Sequence, residues 1–395
     1  MSVSGRAVTV IGAGIGGLAA ARALALRGAQ VTVLEQADAI TEVGAGLQIS
    51  PNGFRVIDAL GLGPALLAQS VRAEAVSLRD YRVGSEVLRL DLTRLAGDQH
   101  YLFVHRADLI DILAEGARAA GADIRLGQTV TAIEAGAPPR VVTDRGVLSP
   151  ALLIGADGLR STVRAALNGK SAPFFTRQVA WRAIVPNSAA IGPEAQVHMG
   201  PGRHLVSYPL RGGAALNLVA VQERSEWAAE GWDHADDPAN LRAAFRNFGG
   251  PLRDVLEEVT EVRLWGLFRH PVAPVWQDGA TAILGDAAHP TLPFLAQGAN
   301  LALEDAWVLA DALAGSAPVE QGLATYQQRR QERVRRVVEA ASRNAWKYHL
   351  SFPPLRLAAH LALAAGGRLV PGRMLAQFDW LYGHDVTRPA DAASG

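Results

Sequence analysis

The 395-residue chain contains no cysteine. Disulfides, thiolate metal ligands, a cysteine nucleophile and a cysteinyl link to a prosthetic group are all excluded. The absence fits a reducing compartment, and a cytoplasmic location is expected. Net charge is also missing: 38 Lys and Arg balance 38 Asp and Glu. No global basic field exists to hold nucleic acid or an anionic membrane. No metal site is expected. Long apolar runs are lacking too. The most apolar late stretch, LRLAAHLALAAGGRLV (355–370), is short and is interrupted by Arg, His and Gly, so no membrane span is expected. It reads as a buried or interface helix, with a membrane-surface helix as the alternative. Only Arg6 precedes the first apolar strand, so no signal peptide is expected. No internal repeat or low-complexity block occurs.

What is present is a chain with 49% hydrophobic residues, enough for one large or two modest folded domains. AVTVIGAGIGGLAAARALALRGAQVTVLEQ (7–36) reads as strand 7–11, glycine turn, helix 18–27 ending near Gly28, and strand 31–34. A right-handed crossover makes this a parallel βαβ unit. A helix is expected at 51–60, antiparallel strands at 74–92 and an amphipathic helix at 106–121. A hairpin (130–134 and 141–148) and a buried strand within 151–158 follow. Residues 176–269 alternate apolar and polar and read as an antiparallel sheet, interrupted by one helix at 239–248. The buried-strand pattern returns at 281–286, and helices run to about Tyr382. The Arg-rich helix at 326–343 reads as a solvated face with Val334, Val337 and Val338 turned inward; Glu332 and Glu339 dilute its charge.

Chemistry is signalled at three turns. Gly12-x-Gly14-x-x-Gly17 lies directly between a strand and a helix. Gly12 permits the tight turn, Gly14 lets a pyrophosphate approach, and Gly17 lets the helix pack on the strand. The helix N-terminus offers N–H groups to phosphates. Glu35, ending the second strand, is placed to accept from ribose hydroxyls. The spacing implies a dinucleotide and does not distinguish NAD from FAD. Two acids then follow buried strands: Asp157 with Gly158 in LLIGADGLRSTVR, and Asp286 in AILGDAAHP. Such acids point into the ligand crevice of an open α/β sheet. Asp157 also suits a helix N-cap.

With these three motifs in this order, the sequence resembles the FAD-dependent aromatic hydroxylases, single-component flavoprotein monooxygenases. Its look is that of the salicylate hydroxylase and 3-hydroxybenzoate 6-hydroxylase branch, over almost the whole chain. The implied fold is α/β: a Rossmann-like FAD-binding domain with a parallel sheet, an inserted antiparallel-sheet substrate domain, and C-terminal helices. The expected division is 1–175 and 271–345 for FAD, 176–270 for substrate, and 346–395 for a helical segment. Residues 74–97 are candidates to join the substrate sheet.

The resemblance assigns Gly12, Gly14, Ile15, Gly17 and Glu35 to the ADP end of FAD. Arg106 would reach the phosphate and ribityl region, and Val130 would make a backbone contact to adenine. Asp157 and Gly158 match a motif tied to FAD and nicotinamide cofactor. Asp286 would accept from a ribityl hydroxyl, and Gly298, Ala299 and Asn300 would face the flavin's pyrimidine edge. FAD is expected to be non-covalent. No second glycine unit follows, so NAD(P)H is expected as a transient co-substrate. The implied reaction, with O2, is hydroxylation of a small phenolic or heteroaromatic acid through a flavin C4a-hydroperoxide. His204 is the candidate base. Tyr208, four residues on and thus on the same face of a strand, and Gln297 match further pocket residues. Gln48 and Arg182 are weaker pocket candidates, and Trp181, Leu205, Leu292 and Phe294 are expected nearby. The alternatives are an epoxidase or antibiotic-modifying oxygenase, or a flavin-binding redox protein without oxygenase turnover. A monomer or homodimer is expected.

Overall fold

The computed structural model describes residues 3–40, 45–170, 172–224, 226, 234–315 and 318–388. The last residues of the expected C-terminal helical segment, 389–395, lie outside the described residues. A six-stranded sheet forms the base of the molecule. Its order is Gln277–Asp278, Thr281–Ile283, Leu152–Gly155, Ala7–Ile11, Gln30–Leu34 and Asp123–Arg125. All neighbours are parallel except the first pair. The central strands are mainly apolar and almost wholly buried, as a sheet covered on both faces requires. Helix Ile15–Ala25 packs between helix Arg106–Ala119 and helix Gly298–Gly315.

An eight-stranded sheet stands beside it. Its central strands are Val262–Arg269, Phe174–Pro186, Ala215–Glu223, Arg203–Leu210 and Glu194–Gly200. Ala75–Asp80 and Glu86–Asp91 extend it at one edge, the former pairing in parallel with Glu194–Gly200. The period of two divides its side chains between two environments. Val179, Trp181, Leu205 and Leu218 pack under two helices, Pro238–Phe245 and Pro251–Glu257. Ala180, Val221 and Trp265, on the other face, pack against Leu292 and Phe294.

Several expectations are corrected. The inserted region carries two helices rather than one, because Pro251 occupies the first turn of a helix instead of ending one. The stretch 141–148 turns back on itself as Arg140–Thr143 and Gly146–Leu148. Trp181 and Leu205 belong to the helix-covered face, opposite His204. The late apolar helix, Pro353–Leu369, is not buried in this chain: Leu355, Leu357 and Leu361 are exposed. The Arg-rich helix, Val319–Asn344, does turn Val334 and Val337 inward. It is not simply solvated, however. Arg330 is 1% exposed and enters the core.

Candidate active site

The glycine turn is shaped by close contacts. Gly12 has φ +99°, and a Cβ there would meet the Ala156 carbonyl oxygen at 2.5 Å. A Cβ at Gly17 would lie 2.0 Å from the Gly12 oxygen. Gly14 is different: nothing lies within 4 Å of its would-be Cβ. The same glycine caps the helix that begins at Ile15. An open space thus lies before first-turn N–H groups, the arrangement a pyrophosphate requires. Glu35 is drawn to the turn, accepting from the N–H groups of Ala13 at 2.8 Å and Ala37 at 3.0 Å. Two further glycines are open in the same way, Gly158 and Gly298. Val130 starts the outer strand Val130–Glu134, close in sequence to Gln128, whose N–H donates to the Glu35 carbonyl.

The two acids differ. Asp157 accepts from Ser161 Oγ at 2.5 Å and from the N–H groups of Thr162 and Val163 at 2.7 and 3.2 Å. Both its oxygens therefore serve the start of helix Thr162–Asn168. Burial nonetheless raises its pKa against these hydrogen bonds. Asp286 follows strand Thr281–Ile283 in a tight turn, and it is exposed while residues 281–285 and 287–290 are all buried. It is the one exposed residue in this buried run. Its crowded surroundings raise its pKa, opposed by His289, Arg106 and His270. Arg106 stands at the start of helix Arg106–Ala119.

Sequence reasoning missed what holds this turn. Asp305 Oδ2 accepts from the Gly285 N–H at 3.0 Å and from His289 Nε2 at 2.5 Å. Arg330 Nε donates to Asp305 Oδ1 at 2.7 Å, and Arg330 Nη1 donates to Glu304 at 2.5 Å. Arg333 and Asn52 complete the set around Glu304. Burial alone would raise both acids, but these cations hold Glu304 and Asp305 below the usual carboxylate range. A Glu-Asp pair within the apolar run of that helix was the available signal, since buried charges require partners.

At the start of that helix, Ala296 takes a left-handed φ of +53°. Asn300 is fully buried, accepting from the Ser50 N–H and donating to the Gln48 and Ala296 carbonyls. It ties the helix start to strand Gly46–Ile49, leaving the first-turn N–H groups of Gly298 and Ala299 as the donors toward a ligand. Gln297 has no exposed surface, and its amide meets Ser50, Asn52 and the Leu295 carbonyl. Its amide is thus committed to these three neighbours.

His204 and Tyr208 share the sheet face turned to Leu292 and Phe294, paired across the strand with Val221 and Asn217. The His204 ring lies 5.8 Å from Phe294 and 5.3 Å from Tyr348. Its Nδ1 meets His349 Nε2 at 2.7 Å. Burial, and then His349, hold the His204 pKa well below the usual imidazole value, so the ring is neutral. Tyr208 packs on Phe103, and burial raises its phenol pKa. Arg182 lies on the same face, its guanidinium 4.7 Å from the Trp265 ring centre. Gln48 accepts from Tyr101 at 2.7 Å. Tyr348 and His349 come from the C-terminal segment, which no motif marked.

Glycine turn, open acid and helix start converge: a Cβ at Gly16 would touch Leu284, two residues before Asp286, and Ala302 of helix Gly298–Gly315. These residues fit FAD: Gly14 and Gly298 leave open space before helix N-termini, and Asp286 offers a carboxylate between them. A family model described as "FAD binding domain" matches residues 6–341. The 3-amino-4-hydroxybenzoate 2-monooxygenase of Streptomyces cremeus is 36% identical over 359 residues, 88% of this chain and 89% of that protein. The 3-hydroxybenzoate 6-hydroxylase of Polaromonas naphthalenivorans is 34% identical over 396 residues, 96% of each. The crystal structure of Klebsiella pneumoniae HpxO with FAD and uric acid superposes with a TM-score of 0.84 at 26% identity, covering 95% of this chain and 97% of that one. The chain belongs to the FAD-dependent aromatic hydroxylases and is a flavoprotein monooxygenase.

Proposed function

We propose that this enzyme hydroxylates a phenolic or heteroaromatic acid, using NAD(P)H and O2 in the cytoplasm, with His204 taking the phenol proton. Bound FAD supplies the redox chemistry, accepting hydride from NAD(P)H and activating O2 for transfer of one oxygen atom to the ring. That transfer is an electrophilic attack, so the ring must be electron-rich, and a phenolate is far richer than a phenol. The observation that carries the proposal is the buried His204 on the sheet face turned to Phe294, with its Nδ1 held by His349. With Nδ1 engaged by His349, Nε2 is the lone pair left for substrate. Trp265, Leu292 and Phe294 keep water out around it. Arg182 places a cation on the same face, suited to a ring carboxylate.

The test is a panel of salicylate, 3-hydroxybenzoate and 3-amino-4-hydroxybenzoate with FAD-loaded protein, following NAD(P)H consumption, peroxide and product mass. At least one phenol should gain an oxygen atom. His204→Ala should still permit flavin reduction but lower the hydroxylation rate about 10²–10⁴-fold, diverting turnover to peroxide. An unchanged product yield and oxygenation rate in folded, FAD-loaded His204→Ala would remove the histidine from the mechanism.

A further inference from the structure

His204 is one end of a hydrogen-bonded chain that leaves the pocket. His204 Nδ1 lies 2.7 Å from His349 Nε2, and His349 Nδ1 lies 2.9 Å from Glu223 Oε1. The two rings are buried, whereas the Glu223 side chain is 52% exposed. The chain therefore runs from the sealed face of the sheet to bulk water. It also has a direction. An ionised carboxylate only accepts, so His349 carries its proton on Nδ1. Its Nε2 is then an acceptor, which requires the proton of His204 on Nδ1. His204 Nε2 is left as a bare lone pair at the pocket end. A carboxylate two rings away thus selects the tautomer of the pocket histidine. Burial favours the neutral form of both rings, with Arg203 adding to this at His349 and Glu223 opposing it.

We propose that His349 and Glu223 are positioning residues that form a proton exit path for the substrate phenol. This rests on the assignment of His204 as proton acceptor. When His204 Nε2 takes the phenol proton, its Nδ1 proton passes to His349 Nε2. The His349 Nδ1 proton passes to Glu223 and then to water. One proton enters, one leaves, and no electrons move. The reverse hops reprotonate the product and restore both tautomers. The path commits the C-terminal segment, through His349, to the chemistry of the sheet.

The test uses the full-length, FAD-loaded protein in two arms. The first is imidazole ¹⁵N NMR of histidine-labelled protein, assigned with His204→Ala and His349→Gln. Wild type should show Nδ1–H and unprotonated Nε2 on both rings, and Glu223→Ala should release the His349 tautomer. The second is steady-state hydroxylation of whichever panel phenol is turned over. Glu223→Ala and His349→Gln should lower kcat about 10²-fold with KM little changed. Added formate should restore Glu223→Ala, because that end of the path is open to water, and a purely structural role would not respond to it. Wild-type kcat in Glu223→Ala, or a loss that formate leaves untouched in folded protein, overturns the path. If wild type hydroxylates no phenol in the panel, the functional proposal fails. The tautomers then decide the path alone, and a proton on Nε2 of His204 refutes it.

Discussion

Two turns at one edge of the parallel sheet invite comparison. Strands Leu152–Gly155 and Thr281–Ile283 are direct neighbours, and each runs into a glycine and an acid. In the first turn the acid, Asp157, is engaged by the helix that follows it. In the second, Asp286 stands open while the residues around it are buried. The difference comes from what lies behind. The second turn is braced through Asp305, which holds the Gly285 N–H and is itself paired with Arg330 and hydrogen-bonded to His289. With its backbone held from behind, that turn does not need its own carboxylate as a cap. One acid stabilises the fold, and the other is free for the ligand.

Removing the brace should have the largest effect. Arg330→Met leaves Glu304 and Asp305 buried with their charge under-compensated, which should cost about 3–5 kcal/mol. Chemical denaturation would measure it. The same variant should weaken FAD binding through the Asp286 turn while leaving the Asp157 turn intact. The pH dependence follows from the same pair. Carboxylates with depressed folded-state pKa values stabilise above their unfolded values, near 4, and lose that contribution as pH falls through the folded values. Asp157, raised by burial, acts in the opposite sense: stability returns as pH falls through its folded value. Thermal unfolding across the acid range should therefore show a steep acid limb, flattened in Asp305→Asn. An equally steep limb in that variant would place the acid sensitivity elsewhere.

Asp286→Ala comes next. Losing an acceptor for a ribityl hydroxyl should cost about 1.5–3 kcal/mol, or roughly 10- to 150-fold in FAD Kd, with little loss of stability. Fluorescence titration reads the first quantity and denaturation the second. Asp157→Ala should show the reverse pattern on a smaller scale. Loss of a helix cap costs about 1 kcal/mol, and FAD affinity should change less than in Asp286→Ala. If the two variants lose FAD equally, the contrast between the turns is wrong.

The cofactor half of the site was legible because it is made by backbone. Glycine spacing reports directly on positive φ and close approach, as Gly12 and Gly17 show. Strand periodicity likewise put His204 and Tyr208 on one face. The same rule should have removed Leu205 and Trp181 from the pocket, since each is next in sequence to a residue facing it. Glu304 and Asp305 were visible as acids in an apolar helix, but Arg330, 25 residues from Asp305, was not predictable as their partner. His349 stands 145 residues from His204. No local pattern announces a contact of that range, because it arises only when the C-terminal segment folds over the sheet.

The outward leucines of helix Pro353–Leu369 bear on handling of the protein. Leu355, Leu357, Leu361 and Leu369 are each more than half exposed. The formal charge of the whole chain is zero at pH 7. Colloidal repulsion between molecules is therefore weakest near neutrality, where these apolar side chains are on offer. Solubility should be lowest near the pH at which most assays are run, and it should rise on moving away from it in either direction.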